Sequence, residues 1–389
     1  MWFRPLVIVT LALLLFGCGR VEEITIEPLP AGDRGSSELG PGVRPLSYGP
    51  GYKSSPVWGP AGERISFTVD GYVVDKLATS AQDTTKWTAR DFGARDIEAN
   101  SGQSMFVLGE EDDQDIPRTS PLYVALPPEN TPTVTEIARN VLAAEPVGDG
   151  EALVAAIQSG PEESSLALVR SGGMDRIYGD AIEGSAVAFS LSPDRRRAAL
   201  AVVPPGEDSA SELWIFDLTE GSARELLRLE EDLQMFGPPQ WTERGIYYVA
   251  GAEEGEEDSA AAALYELYRV PEGSNRPEPA PGVGGDFAAS SIQVSPGGMK
   301  LAILGRLHAN SPTDLHILDL ETEILKGATG NEDMEIKNGS RDLAWAPDGE
   351  SVVIIARAAF SNPRVRAASA DTLLEEFYNL YEVPVGASE

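Results

Sequence analysis

Apolar positions along this chain fall in short runs separated by turn residues, and the runs recur at a nearly fixed spacing. Four stretches share one local pattern: Val57-Trp58-Gly59-Pro60-Ala61-Gly62, Phe189-Ser190-Leu191-Ser192-Pro193-Asp194, Gln293-Val294-Ser295-Pro296-Gly297-Gly298 and Ala344-Trp345-Ala346-Pro347-Asp348-Gly349. Each follows a short apolar strand and precedes another: Arg64 to Val69, Arg197 to Val203, Lys300 to Leu304 and Ser351 to Ala356. This is the chemistry of a tight hairpin. Proline presets φ at the first turn position, and Asp or Gly accepts the turn and bulge geometry that follows.

A strand of alternating character then ends near an acidic or small residue. It occurs as Gly71 to Asp75, Pro121 to Leu126, Ser165 to Val169, Glu212 to Leu218, Leu264 to Val270, Asp314 to Leu320 and Leu380 to Val385. Three copies lack the proline turn but keep the strands: Met105 to Leu108, Ala152 to Ile157, and Gly245 to Ala250 after Trp241. Trp58 and Trp345 stand six repeats apart, a mean period of about 48 residues, which suits a four-stranded propeller blade. The pattern predicts an all-β fold, a β-propeller of four-stranded antiparallel blades. Seven blades fit best, with six or eight as alternatives. Stacked radially, Trp58, Phe189, Trp241 and Trp345 would fill the gaps between neighbouring blades.

The last third-type strand, Leu380 to Val385, has no fourth strand after it, and an open ring would leave an exposed edge. Val43 to Tyr48, just ahead of the first blade, is either the closing outer strand or a plain linker; Pro45 suits an edge position.

The turn, the strand after it and strands such as Leu213-Trp214-Ile215-Phe216-Asp217-Leu218 and Leu315-His316-Ile317-Leu318-Asp319-Leu320 resemble the propeller repeat of TolB, the periplasmic Tol-system protein. The same repeat occurs in prolyl-oligopeptidase-type peptidases and in many bacterial lipoproteins. The resemblance covers residues 54–385 and implies a fold rather than an activity. TolB is usually six-bladed with an extra N-terminal domain, for which this chain has no room, so its role is not carried over.

Residues 1–18 read as an address. Arg4 is followed by an apolar stretch, Pro5 to Phe16, too short to span a bilayer, and then Gly17-Cys18. Leu15-Phe16-Gly17-Cys18 resembles the bacterial lipobox, with Phe16 bulkier than usual. The resemblance implies cleavage between Gly17 and Cys18 and a lipid, palmitate among its acyl chains, on the Cys18 thiol. A plain secretory signal or an uncleaved anchor are the alternatives. The expected organisation is a signal peptide at 1–17, a lipidated N-terminus and tether at 18–53, and the propeller at 54–389, outside the cytoplasm on the cell or outer membrane. Val21 to Ile26 could form a short strand within the tether.

The 389 residues carry 62 acidic and 30 basic side chains, a net charge of −32, which argues against nucleic acid as a partner. One cysteine, Cys18, leaves no intramolecular disulfide, and with His308 and His316 alone no Cys/His zinc cage. The acidic residues concentrate in connections between second and third strands: Glu110, Glu111, Asp112 and Asp113; Glu162-Glu163; Glu207-Asp208; and Glu253, Glu254, Glu256, Glu257 and Asp258. The repeat register puts these on one face, a candidate binding surface as well as a source of solubility. The spacing at 110–115 lacks the glycine and bidentate Glu of a calcium loop, so no metal site is expected. In the last blade, Arg357, Arg364 and Arg366 share a long connection with Asp371 to Asn379, whose apolar spacing predicts a short helix.

No nucleophile elbow, H-E-x-x-H, P-loop or G-x-G-x-x-G motif occurs, and His316 sits between Leu315 and Ile317 on a strand. The sequence therefore reads as a non-enzyme without cofactor: a monomeric, lipid-anchored envelope scaffold that binds another protein, a peptide or a glycan. The alternative is an enzyme or cofactor binder using the central channel. Charged side chains converging at the channel mouth from several inner strands would favour it.

Overall fold

The computed structural model describes residues 42–79, 84–89, 92–111, 119–128, 132–148, 150–206, 210–230, 233–252, 265–308, 311–329, 334–339, 341–358 and 377–386. Among these residues there is no helix, and the strands form six antiparallel sheets. The chain enters through β1 (Arg44–Pro45). One four-stranded unit follows: β2 (Lys53–Trp58), β3 (Arg64–Val69), β4 (Tyr72–Leu77) and β5 (Thr84–Lys86).

The next sheet has seven strands: β6 (Ala94–Asn100), β7 (Met105–Gly109), β8 (Ser120–Leu126), β9 (Thr133–Val147), β10 (Ala152–Gly160), β11 (Glu163–Arg170) and β12 (Gly173–Glu183). It is two units sharing β9. Thr133 to Ala138 pairs with β8 as an outer strand, and Val141 to Val147 continues as the inner strand of the next unit against β10. Asn140, at φ 57°, sits at the changeover.

Three regular units follow. The first is β13 (Ser185–Leu191), β14 (Arg197–Val203), β15 (Glu212–Asp217) and β16 (Ser222–Arg228). The second is β17 (Leu233–Thr242), β18 (Gly245–Ala252), β19 (Glu266–Pro271) and β20 (Glu278–Pro279). The third is β21 (Ala288–Val294), β22 (Lys300–Arg306), β23 (Asp314–Asp319) and β24 (Ile324–Gly327). The last sheet holds β25 (Met334–Ile336), β26 (Leu343–Trp345), β27 (Ser351–Ala358) and β28 (Asn379–Pro384), with β1 on its outer edge. Here β25 and β26 are two pieces of one inner strand, both paired with β27.

The inner strands touch in cyclic order, β2 to β6, β9, β13, β17, β21, β26 and back to β2, so the ring is closed. Seven apolar clusters occupy the gaps between adjacent units. Strand alternation supplies both sides of each gap. On β22, Ala302 and Leu304 face the last unit while Leu301 and Ile303 face the preceding one, and all four are fully buried. Trp58, Phe189, Trp241 and Trp345 each pack in the gap toward the preceding unit, at 8%, 1%, 5% and 6% exposure.

The four hairpins share one geometry. The fourth turn residue is left-handed in each: Gly62 (φ 70°), Arg195 (57°), Gly298 (72°) and Gly349 (72°). In each its N–H donates to the carbonyl three residues back, at 2.9, 2.8, 2.8 and 2.9 Å. Polar side chains tie inner strands across the gaps. The Trp241 amide donates to Ser190 Oγ (3.1 Å), the Val294 amide to Gln240 Oε1 (3.0 Å) and the Trp345 amide to Gln293 Oε1 (3.2 Å).

Residues 43–48 lie against β28. Arg44 pairs with Glu382 and Pro45 with Tyr381 in antiparallel register. Val43 joins the cluster on one side of the last unit and Leu46 the cluster on the other, at 5% and 2% exposure. Packed structure therefore includes residues 43–48, which lie ahead of the boundary at 54 that composition suggests. Of the predicted helix, residues 371–376 lie outside the described residues, and Asn379 opens β28 instead. There Leu380 and Tyr381 are drawn into the core, which overrides the helical spacing. Gly17, Cys18, the segment Val21 to Ile26, Arg364 and Arg366 also lie outside the described residues.

Candidate functional site

The inner strands begin on the face where second strands end, because neighbouring strands are antiparallel. At that face the ring encloses a cavity of about 780 Å³, lined from five of the inner strands and from the break between β25 and β26. Charged side chains converge there. Arg95 and Asp96 come from the start of β6, and Lys337, Arg341 and Asp342 from the residues between β25 and β26. Tyr52, which precedes β2, keeps 65% of its surface exposed beside them.

The contacts form a network. Asp96 accepts from Ser55 Oγ (2.5 Å) and Arg95 Nε (2.9 Å), and Arg341 Nε lies 3.7 Å away. Arg95 also donates to Glu111 (2.7 Å), and Arg341 to Glu98 (2.6 Å). Lys337 Nζ donates to Asp342 and to the Lys53 carbonyl, both at 3.1 Å, and lies 4.0 Å from the centre of the Tyr52 ring. Arg341 is deep in the molecule yet keeps 33% of its side-chain surface accessible, because it faces the cavity rather than packed protein.

The surroundings push the carboxyls apart. Burial raises Asp96, but Arg341, Arg95 and the Ser55 hydrogen bond outweigh it and leave the group below its ordinary range. Burial dominates at Glu98 and at Asp342 and lifts both, against Arg341 and Lys337 respectively. Glu145, on the inner half of β9, is pushed up to about 8 by burial and then by Glu98, with Arg341 and Arg195 opposing. Glu145 therefore holds a proton at pH 7. The stability linked to that proton is complete below pH 4.5 and is lost as pH rises through 8. Glu145→Gln is expected to unfold like wild type at pH 5 and to be more stable at pH 9, by about 2–3 kcal/mol after allowing for the partial exposure of the side chain. Denaturant unfolding at both pH values checks this.

Of the acidic residues read as a binding face, Glu110 is exposed beside Glu111, and Glu111 reaches the mouth through Arg95. Asp112, Asp113, Glu253, Glu254, Glu256, Glu257 and Asp258 lie outside the described residues. His316 is elsewhere, on β23, 2% exposed and edge-on to Phe287 at 5.1 Å; burial lowers it to about 4, so it is neutral. Arg357, at the end of β27, pairs with Glu335 on β25, both half-exposed. Arg95, Asp96, Glu98, Glu145, Lys337, Arg341 and Asp342 were not singled out from the sequence. One signal was available. Ser54-Ser55, Gly237-Pro238 and Arg341-Asp342 each stand four and three residues before an inner-strand tryptophan, and all six line the cavity. Among the described residues no three His, Cys, Asp or Glu side chains form a metal-binding group.

No family model and no curated protein matches the sequence. Several solved structures share the fold. Hydrazine synthase of Kuenenia stuttgartiensis is 13% identical, with 92% of this chain and 99% of that one covered and a TM-score of 0.56. Oligogalacturonate lyase from Vibrio parahaemolyticus is 12% identical, covering 89% and 94%, TM-score 0.52. The Cps50 (Swd1) β-propeller domain of Myceliophteria thermophila is 11% identical, covering 88% and 99%, TM-score 0.51. A putative TolB from Agrobacterium tumefaciens also aligns, at 14% identity over 77% and 88%, with a TM-score of 0.43, too low to argue from.

The lyase corrects the non-enzyme reading: the same fold, at comparable similarity, carries an enzyme. The physical reason is spacing. A propeller takes one or two site residues from each blade, so its catalytic groups stand about 48 residues apart and leave no local motif. A scan for short motifs therefore says nothing about catalysis in this fold.

Proposed function

We propose that this chain is a lipid-anchored extracytoplasmic β-propeller that works by binding, and that the charged channel mouth is its binding surface. The observation carrying the proposal is a cavity of about 780 Å³ in which an apolar wall of Leu142, Val187 and Met235 faces Arg95, Asp96, Lys337, Arg341 and Asp342, in a protein of net charge −32. Strands β7, β10, β14 and β18 end on that face, and the acidic sequence that follows them would meet a basic rim on an envelope protein or peptide. Strand β1 starts on the opposite face, since it runs antiparallel to β28. A lipid on Cys18 would thus hold the far side, turning the mouth away from the membrane.

Catalysis at the mouth is the second reading, and the charged side chains that converge there are the arrangement it requires. It is favoured by the contrast between Asp96, held ionised, and Glu145, which keeps its proton.

A photo-crosslinking residue at Tyr52, and another at Ile177 on the exposed outer strand β12, separate the mouth from the rim in cells. A saturable crosslink at position 52 and none at 177 is the expected result. The reverse pattern would reject the mouth.

A further inference from the structure

The cavity has two unlike walls. The last, first and second units present Lys337, Arg341, Asp342, Tyr52, Arg95 and Asp96. The third to fifth units, across the channel, present Leu142, Val187, Ala188, Met235 and Pro238. The charged wall has donors to spare. An arginine carries five N–H donors and an ammonium three. Arg95 uses Nε and Nη1 on Asp96 and Glu111, Arg341 uses Nη1 on Glu98, and Lys337 uses its ammonium on Asp342 and one carbonyl. Asp96, by contrast, is surrounded by Ser55, Arg95 and Arg341. Three cations stand on one wall beside Asp96, Asp342 and Glu111, and the facing wall presents the apolar side chains of Leu142, Val187, Ala188, Met235 and Pro238.

We propose that the mouth binds a small amphipathic carboxylate. Its anionic head meets Arg95, Lys337 and Arg341, and its apolar body lies on Val187, Leu142 and Met235. The planar head matches the guanidinium fork, and the apolar wall stays unhydrated once covered. The proton that Glu145 holds supports this, since it removes one negative charge near Arg341. The proposal rests on the reading of the mouth as the binding surface and adds the ligand class.

The test uses the full chain in detergent, with ligand-induced line-broadening and calorimetric titration. The probes are 4-phenylbutyrate, its amide and acetate, at up to millimolar concentration. Saturable binding of 4-phenylbutyrate is expected, with the amide and acetate each about tenfold weaker or more, one charge-assisted pair being worth that much. Lys337→Met is expected to weaken the carboxylate and leave the amide unchanged, and Val187→Asp to weaken both. Equal binding of acid and amide would overturn the proposal, as would no saturable binding of the acid. Either result obtained with the crosslink at position 52 intact removes the ligand class and leaves the mouth as a binding surface. Loss of both removes the two together.

Discussion

Replacing Leu46 by aspartate is expected to lower stability by about 4 kcal/mol and the melting temperature by about 10 °C, because it opens the ring. Leu46 is 2% exposed, in the cluster that joins the first and last units with Trp58, Phe67, Val353, Ile355 and Leu380. Its amide donates to the Leu380 carbonyl at 2.7 Å, and Ser47 Oγ accepts from the Leu380 amide at 2.9 Å. An ionised carboxylate at 46 would have to stay buried without a partner or pull residues 43–48 off β28. The second course exposes the β28 edge and the apolar residues on both sides of the last unit. Arg44→Ala supplies the contrast. Its ion pair with Glu382 lies at a side chain 46% exposed, so removing it is expected to cost under about 1 kcal/mol. Thermal unfolding of both variants checks the pair. Equal, small losses would mean that residues 43–48 do not close the ring.

Cys18→Ala is expected to move the protein wholesale from the membrane fraction to the soluble extracytoplasmic fraction. No described helix is long and apolar enough to cross a membrane. On the proposed reading, the acyl chains on Cys18 carry the attachment, and two or three chains hold a protein where one would let it exchange. Radiolabelled palmitate should enter the wild-type protein and not the variant, and detergent-phase partitioning should fall in parallel. On the same reading the thiol belongs to the tether, and the melting temperature should not change. A Cys18→Ala protein that stays on the membrane and retains label would contradict the lipid anchor.

The two halves of this account were unequally visible in the sequence. The strands were legible because four units repeat the same turn punctuation and the others keep the strands around it. Ser192-Pro193-Asp194 and Ala346-Pro347-Asp348-Gly349 announce the same hairpin, and the left-handed fourth residue follows from it. The alternation of Leu301, Ala302, Ile303 and Leu304 reads as a strand buried on both faces, which a propeller requires of its inner layers. The changeover inside β9 was not legible. Asn140 alone marks it, with no proline or glycine beside it, and Val141 to Ala144 continues the backbone run, so two units share one strand.

The mouth was hidden for a different reason. Arg95, Glu145 and Arg341 are separated by 50 and 196 positions and meet only through ring closure. Read singly, Arg341-Asp342 is an ordinary charged pair before an apolar strand. What singles it out is its place upstream of Trp345, matching Ser54-Ser55 before Trp58, and that comparison needs the repeat register first.

The most direct measurement is partner capture from envelopes with wild-type protein and with an Arg95→Glu, Lys337→Glu double variant, run beside circular dichroism and thermal unfolding of both. Neither side chain lies in the inter-unit clusters, but each reversal sets a like charge beside Asp96 or Asp342. The double variant should therefore keep the wild-type spectrum while melting lower, and capture is compared at a temperature where both proteins are folded. The account expects the crosslinked partner or ligand to be lost from that folded variant. Undiminished capture by a folded double variant would contradict the channel mouth as the working surface.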